Sequence, residues 1–107
     1  MVKRLKFKFS FAPEAVEHLD LIDSKYHGLL RRTIEEQLTH TPTDETRNRK
    51  PMDEPAPFGA SWELRCGPDN RFRVFYEVDV AAQEVQILAI GVKERNRLLI
   101  GGEEYQT

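Results

Sequence analysis

A chain of 107 residues is long enough to bury one hydrophobic core and too short for two. Its apolar fraction of 39% and charged fraction of 32% make it wet for a globular protein, without the poverty in Ile, Leu, Val and Phe that predicts disorder. Sixteen Lys and Arg against eighteen Asp and Glu leave a formal charge of −2, which excludes a uniformly basic nucleic-acid coat but not a local basic patch.

Residues 1–8 are interrupted too often by Lys3, Arg4, Lys6 and Lys8 to form the apolar stretch of a signal peptide. Leu5, Phe7, Phe9 and Phe11 alternate with Lys6, Lys8 and Ser10, the period-two pattern of a half-buried strand with a basic outer face. Pro13 suits the first position of a helix, where its fixed φ helps and its missing N–H costs nothing. Val16, Leu19, Ile22 and Tyr26 recur at helical spacing behind an acidic face of Glu14, Glu17, Asp20 and Asp23. Gly28 is expected to break this helix from a second one over residues 29–39, with Leu30, Thr33, Ile34, Gln37 and Leu38 as its stripe. The two form an αα-hairpin laid on a sheet.

Pro42 opens a loop of about twenty residues, 41–60, kept extended by Pro51, Pro55 and Pro57. Its first half carries Arg47, Arg49 and Lys50. Trp62, Leu64 and Cys66 then alternate as a strand, and Gly67-Pro68-Asp69-Asn70 is a strong hairpin turn. Cys66, the one cysteine, excludes an internal disulfide and is expected to be a small core hydrophobe. Phe72, Val74, Tyr76 and Val78 alternate against Arg71, Arg73, Phe75 and Glu77; residues 84–91 are nearly all apolar, as in a central strand. Residues 93–100 are expected to make one or two helical turns stopped by Gly101-Gly102, and residues 103–107 to fray. No apolar run approaches the roughly 18 residues of a membrane span. These elements predict one α+β domain over residues 1–107. Two N-terminal helices pack on a curled antiparallel sheet of about four strands, in the order β-α-α-β-β-β, with a short C-terminal helix.

Three basic clusters come from separate segments: Arg47, Arg49 and Lys50; Arg65, Arg71 and Arg73; Lys93, Arg95 and Arg97. Two helices cover only one face of a sheet, so Arg73 is expected to line the open, concave face. A guanidinium held there on a strand is a rigid bidentate donor for phosphate. The competing reading of Arg73 is a cross-strand ion pair with Glu63 or Glu77. His18, His27 and His40 lack metal-ligand spacing and suit surface or cap roles. Neither a nucleophile with a base nor a glycine-rich phosphate loop is present, and no cofactor or metal is expected.

The segments Trp62-Glu-Leu-Arg65, Arg71-Phe-Arg73-Val-Phe-Tyr76-Glu-Val78 and Val85-Gln-Ile-Leu-Ala-Ile-Gly91-Val-Lys93-Glu-Arg95 resemble the RelE/ParE superfamily of toxins from bacterial type II toxin–antitoxin pairs. Phe9-Ser-Phe-Ala-Pro13-Glu-Ala-Val-Glu-His-Leu19 fits the family's strand-to-helix entry, so the likeness spans roughly residues 5–100. The resemblance implies a cytoplasmic toxin with a cognate antitoxin. It further implies a metal-independent endoribonuclease (an mRNA interferase) that cuts mRNA on the ribosome by attack of the RNA 2′-hydroxyl on the adjacent phosphate and so inhibits translation. It assigns Arg73, Lys93 and Arg65 to catalysis, with Arg47, Arg49, Lys50, Arg71 and Arg95 binding substrate. The family's C-terminal aromatic acid/base aligns with Leu99, and Tyr105 is the aromatic nearest in the tail. The alternatives are a ParE-type inhibitor of DNA gyrase and a member that only binds its antitoxin. No membrane partner is implied.

Overall fold

The near-continuous apolar run after Gln83 becomes the longest strand, β5 (Glu84–Glu94), and the sheet is built around it. The computed structural model describes residues 5–53 and 56–106. The opening basic residues 1–4, Pro55 of the long loop and Thr107 of the tail lie outside them. The described residues form β1 (Lys8–Phe11), α1 (Pro13–Asp20), α2 (His27–Leu38), β2 (Arg49–Pro51), β3 (Trp62–Cys66), β4 (Phe72–Asp79), β5, β6 (Arg97–Ile100) and β7 (Glu103–Glu104). Sheet order is β2-β3-β4-β5-β6-β7, every neighbour antiparallel. β1 adds in parallel to Glu84–Ile87 at one end of β5, while β6 pairs with Gly91–Glu94 at the other, end to end along the same edge.

The six expected elements form in their expected order, but an extra strand, β2, forms inside the expected loop 41–60, and the sheet has seven described strands where about four were expected. The C-terminal helix is a correction. Arg95 takes a left-handed φ of 55° in a two-residue turn, and Glu94 pairs with Arg97 across it. Three apolar residues in succession then serve both faces of a strand: Ile100 packs on the open face beside Leu98, and Leu99 on the helical one. Gly101 and Gly102, at φ 64° and 80°, make the second tight turn and return the chain as β7. Two successive left-handed residues are what such a hairpin turn requires, so the glycines turn a strand and do not terminate a helix. The tail is held as far as Tyr105, whose N–H donates to Leu98 O at 2.8 Å.

α1 begins at Pro13 with no side-chain cap, and it buries Ala15 and His18 while Val16 stays 46% exposed. The break between the helices falls before Gly28. The Asp23 carboxylate accepts the Lys25 N–H at 3.0 Å and sets a 3₁₀ turn, Ser24–Tyr26, after which α2 runs with Gly28 in its first turn. Leu30, Ile34 and Leu38, one turn apart, are its buried seam. The main core lies between these helices and one sheet face, around Leu64, Cys66, Phe72, Val74, Tyr76, Val85, Ile87 and Ile90. Cys66 is buried there as expected, and burial pushes its thiol pKa up to about 11, so it is unreactive near neutral pH. Trp62 stacks on Tyr76 at 6.2 Å between ring centres. The Tyr76 hydroxyl donates to Pro42 O at 2.7 Å, pinning the loop that leaves α2.

Two side chains assigned to the surface are buried. His18 is 8% exposed: its Nδ1 accepts the Ile90 N–H at 3.2 Å, filling the stretch of β5 edge between β1 and β6. An imidazole acceptor thus completes a ladder that no strand reaches. Arg49 is 5% exposed. Its guanidinium donates to Gln37 O at 2.9 Å, to Thr41 O and to Thr41 Oγ1 at 3.2 Å, so the cation caps the carbonyl end of α2.

Candidate nucleic-acid interface

Residues in direct cross-strand register share a face, so the register maps the side of the sheet away from the helices. One row runs Arg65, Arg73, Gly91, Ile100, Glu103 across β3 to β7. The next row on β2 to β5 is Lys50, Glu63, Phe75, Ala89. On the other side of the first row Lys93 pairs with Leu98, whose carbonyl accepts from Tyr105. Ala60, Phe75, Ala89 and Ile100 are buried as an apolar floor, with Met52, Leu88, Leu98 and Tyr105 packed against them. Between Phe75 and Tyr76 the register slips by one, leaving Leu88 as an extra residue on β5. A bulge of this kind bends the strand and curls the sheet.

Cations stand over this floor. Arg73 is held from three sides: its guanidinium donates to Asn70 O, its Nε lies 3.9 Å from Glu63 Oε2, and Arg65 is its direct cross-strand neighbour. The Glu63 carboxylate bridges both arginines, since Arg65 Nε donates to its other oxygen at 2.9 Å. The Arg73 side chain retains only 12% of its exposure, and burial pulls its pKa down, opposed by Glu63. The cross-strand ion pair with Glu63 thus forms, and the register places Arg73 on the open face of the sheet. Lys50 is the cross-strand neighbour of Glu63 and Lys93 lies two residues beyond Gly91 on β5, so four cations share this face with Glu63, and Tyr105 packs against its apolar floor.

The other assigned residues are distributed as follows. Arg47 is exposed in the turn before β2, and Arg95 is exposed at the β5–β6 turn. Arg49 points into the protein and is removed from any ligand by its helix-capping bonds. Arg71 precedes β4 and does not share Arg73's face. Its guanidinium lies 5.9 Å from the Tyr26 ring and 6.0 Å from the Phe72 ring, both on the helical side, and 4.0 Å from Glu94. Leu99, at the position matched to the family's aromatic, lines a cleft on that same helical side with His18 and Ile22. Tyr105, six residues on, packs at the open face beside the buried floor that includes Phe75. Among the described residues, no three His, Cys, Asp or Glu side chains are placed to hold a metal ion, and no helix is long and apolar enough to cross a membrane.

The fold and face define a class: a small α+β protein with helices on one side of a curled sheet and a cationic, tyrosine-rimmed surface on the other. The fold is RelE-like. It matches a chain of the crystal structure of the toxin–antitoxin complex RelBE2 from Mycobacterium tuberculosis with a TM-score of 0.69 and 19% sequence identity, over 85% of this chain and 95% of that one. No protein-family model and no curated protein sequence matches the chain.

Proposed function

We propose that this protein is the toxin of a type II toxin–antitoxin pair and cleaves mRNA on the ribosome without a metal. One observation carries the reading: Arg65 and Arg73 stand in direct register on the open sheet face, with Lys93 on the adjoining β5 and Tyr105, just past β7, packed against the same face. Two guanidinium groups on rigid strands offer forked N–H donors to a scissile phosphate. In the reaction the RNA 2′-oxygen bonds to phosphorus and the bond from phosphorus to the 5′-oxygen breaks, giving a 2′,3′-cyclic phosphate and a 5′-hydroxyl. Arg73 and Arg65 stabilise the extra negative charge that develops on the phosphoryl oxygens. The Glu63 carboxylate, lying between them, accepts the 2′-hydroxyl proton. The Tyr105 hydroxyl supplies a proton to the departing 5′-oxygen. Lys50 and the exposed Arg47 and Arg95 extend the phosphate track. The antitoxin is a second protein chain that neutralises this activity.

The test is a translation reaction containing ribosomes and a defined mRNA, read for 5′-hydroxyl fragments. The native chain is expected to cut, and Arg73→Ala to cut about 100-fold more slowly, in line with the loss of one charge-stabilising donor. A native protein that leaves the message intact but blocks supercoiling by purified gyrase is of the ParE type. One that does neither binds only its antitoxin. Either result overturns the endonuclease.

A further inference from the structure

One bulky side chain in the long loop sits on a left-handed backbone. In the 3₁₀ turn Pro57–Gly59, Phe58 has φ 57° and ψ 25°, and Gly59 follows at φ 71°. Glycine takes this region freely and asparagine tolerates it, whereas a large side chain there sets its Cβ against the following carbonyl. The ring gains little burial in return, since Phe58 is 47% exposed. The turn is anchored without it, by the buried Pro57 and Ala60 on either side. Backbone strain of this kind concentrates where a chain grips a ligand.

Two sets of contacts place the ring beside the cations. Ala60 is buried against the open-face floor with Phe75 and Ala89, and the Ser61 N–H donates to Tyr76 O at 3.1 Å. Phe58 itself meets the His18 ring in a T-shaped contact at 5.2 Å, and that imidazole closes the far edge of β5 at Ile90. The loop thus crosses the open side of β4 and β5. It walls the row Arg65, Arg73, Gly91, Ile100 on one side, opposite Lys93, Leu98 and Tyr105. Arg73 and Gly91 are paired on neighbouring strands about 5 Å apart, and Ile90 adjoins Gly91. A nucleotide next to a phosphate held by Arg73 is within reach of the ring. A T-shaped contact uses one face or one edge of a ring, and the exposure of Phe58 leaves the rest open to that nucleotide.

We propose that Phe58 is a base-binding platform, on which an unpaired nucleobase of single-stranded RNA stacks while the flanking phosphate lies on Arg73 and Arg65. The inference deepens the RNA reading above and rests on it. A phenyl ring has no hydrogen-bonding edge with which to read sequence, so the platform accepts every base and favours the larger faces of purines. It selects single strands, because the bases of a duplex are stacked on one another and do not reach a ring beside the groove.

The test uses the full chain and a labelled single-stranded RNA of about six nucleotides, 2′-O-methylated so that it binds without being cut. 2-Aminopurine, and separately an abasic sugar, is placed at each position in turn. At one position the native protein should quench 2-aminopurine, and the abasic sugar there should weaken binding about tenfold, within the range of a lost base–aromatic stack. Phe58→Asn, which keeps the left-handed turn, should bind the intact RNA about tenfold more weakly, lose the quenching and become indifferent to the abasic sugar. Phe58→Trp should restore all three. The salt dependence should be the same in native and Phe58→Asn proteins, because no phosphate contact is lost. The quenching and abasic arms use the native chain and do not depend on how a variant folds. Native affinity in Phe58→Asn, an abasic penalty that persists in it, or no position of quenching overturns the platform. A native chain that cuts mRNA on the ribosome while Phe58→Asn binds RNA normally removes the platform and keeps the endonuclease. A native chain that leaves the message intact yet stacks a base through Phe58 removes the endonuclease and keeps the platform.

Discussion

At the residue scale, His18 shows how one side chain substitutes for missing secondary structure. Its Nδ1 must be unprotonated to accept the Ile90 N–H, so the bond exists only with the neutral ring. Burial lowers the His18 pKa from its usual value of 6.5, against the opposing pull of Glu17 and then Glu14. The folded protein therefore binds fewer protons here than the unfolded chain. Its contribution is fully present above pH 6.5 and is lost as pH falls below that value, toward the lower folded-state pKa. The groups facing it do not change this sign: Phe58 meets the ring edge-on at 5.2 Å and Gly101 lies against it. The comparison is between the native protein and a His18→Gln variant, which lacks this ring. The difference between the two urea midpoints should thus be large at pH 7.5 and shrink toward pH 5. At pH 7.5 the variant should be less stable by about 1–3 kcal/mol, the cost of a poorly satisfied buried N–H. A constant difference across that range would remove the role given to the ring. The sequence placed His18 on the wet side of α1 because the stripe from Val16 to Tyr26 was continued past Asp20. The helix ends there, and the buried side turns toward Ala15 and His18. Arg49 was misplaced for a related reason: a cation among polar residues looks solvated unless the end of α2 that it caps is known.

At the element scale, what was legible depended on whether one periodicity owned a segment. Leu30, Ile34 and Leu38 fit only a helix, and the alternation from Phe72 to Val78 fits only a strand; both formed as read. Residues 93–100 were ambiguous, because a short apolar triplet after charged residues suits either a helical turn or a strand serving two faces. The Gly-Gly pair held the answer, since two left-handed residues make a hairpin turn between strands. β2 is only three residues long and includes Pro51, so no local pattern marks it; it exists because β3 offers a free edge. The glycines separate in the same way by what surrounds them. At Gly67, φ is 84° and an added Cβ would fall 2.4 Å from Phe72 Cδ2, inside the core ring that anchors the β3–β4 turn. Gly67→Ala should cost about 2 kcal/mol or more, combining left-handed strain with displacement of Phe72. Gly28→Ala meets nothing and should stabilise the free protein by about 0.5–1 kcal/mol. Thermal melts of the two variants should therefore move in opposite directions. Movement in the same direction would mean that the open space at Gly28 is filled.

At the scale of the whole molecule, a formal charge of −2 conceals a division by face. Glu14, Glu17, Asp20 and Asp23 sit on or beside α1, while Arg65, Arg73, Lys50 and Lys93 share the far side of the sheet with Glu63. The acids are thus removed from the proposed RNA path by the thickness of the sheet and its cover. At physiological ionic strength the screening length is about 8 Å, so charges on the helical side act weakly on a phosphate bound opposite. Binding of a short single-stranded RNA should accordingly depend on salt as if a few cations act, despite the acidic total. If about three phosphates are neutralised, the logarithm of affinity should fall with the logarithm of salt at a slope of about −2. Lys93→Ala should make that slope shallower by about 0.7, because it deletes one phosphate partner from the open face. Replacing Glu14 and Glu17 together by Gln should leave the slope unchanged, although it raises the net charge by two where Lys93→Ala lowers it by one. If the slope followed net charge in both variants, RNA would be responding to the whole surface and the confined phosphate track would be wrong. If only Lys93→Ala moves it, the local geometry of the sheet, and not the overall charge, governs nucleic-acid binding.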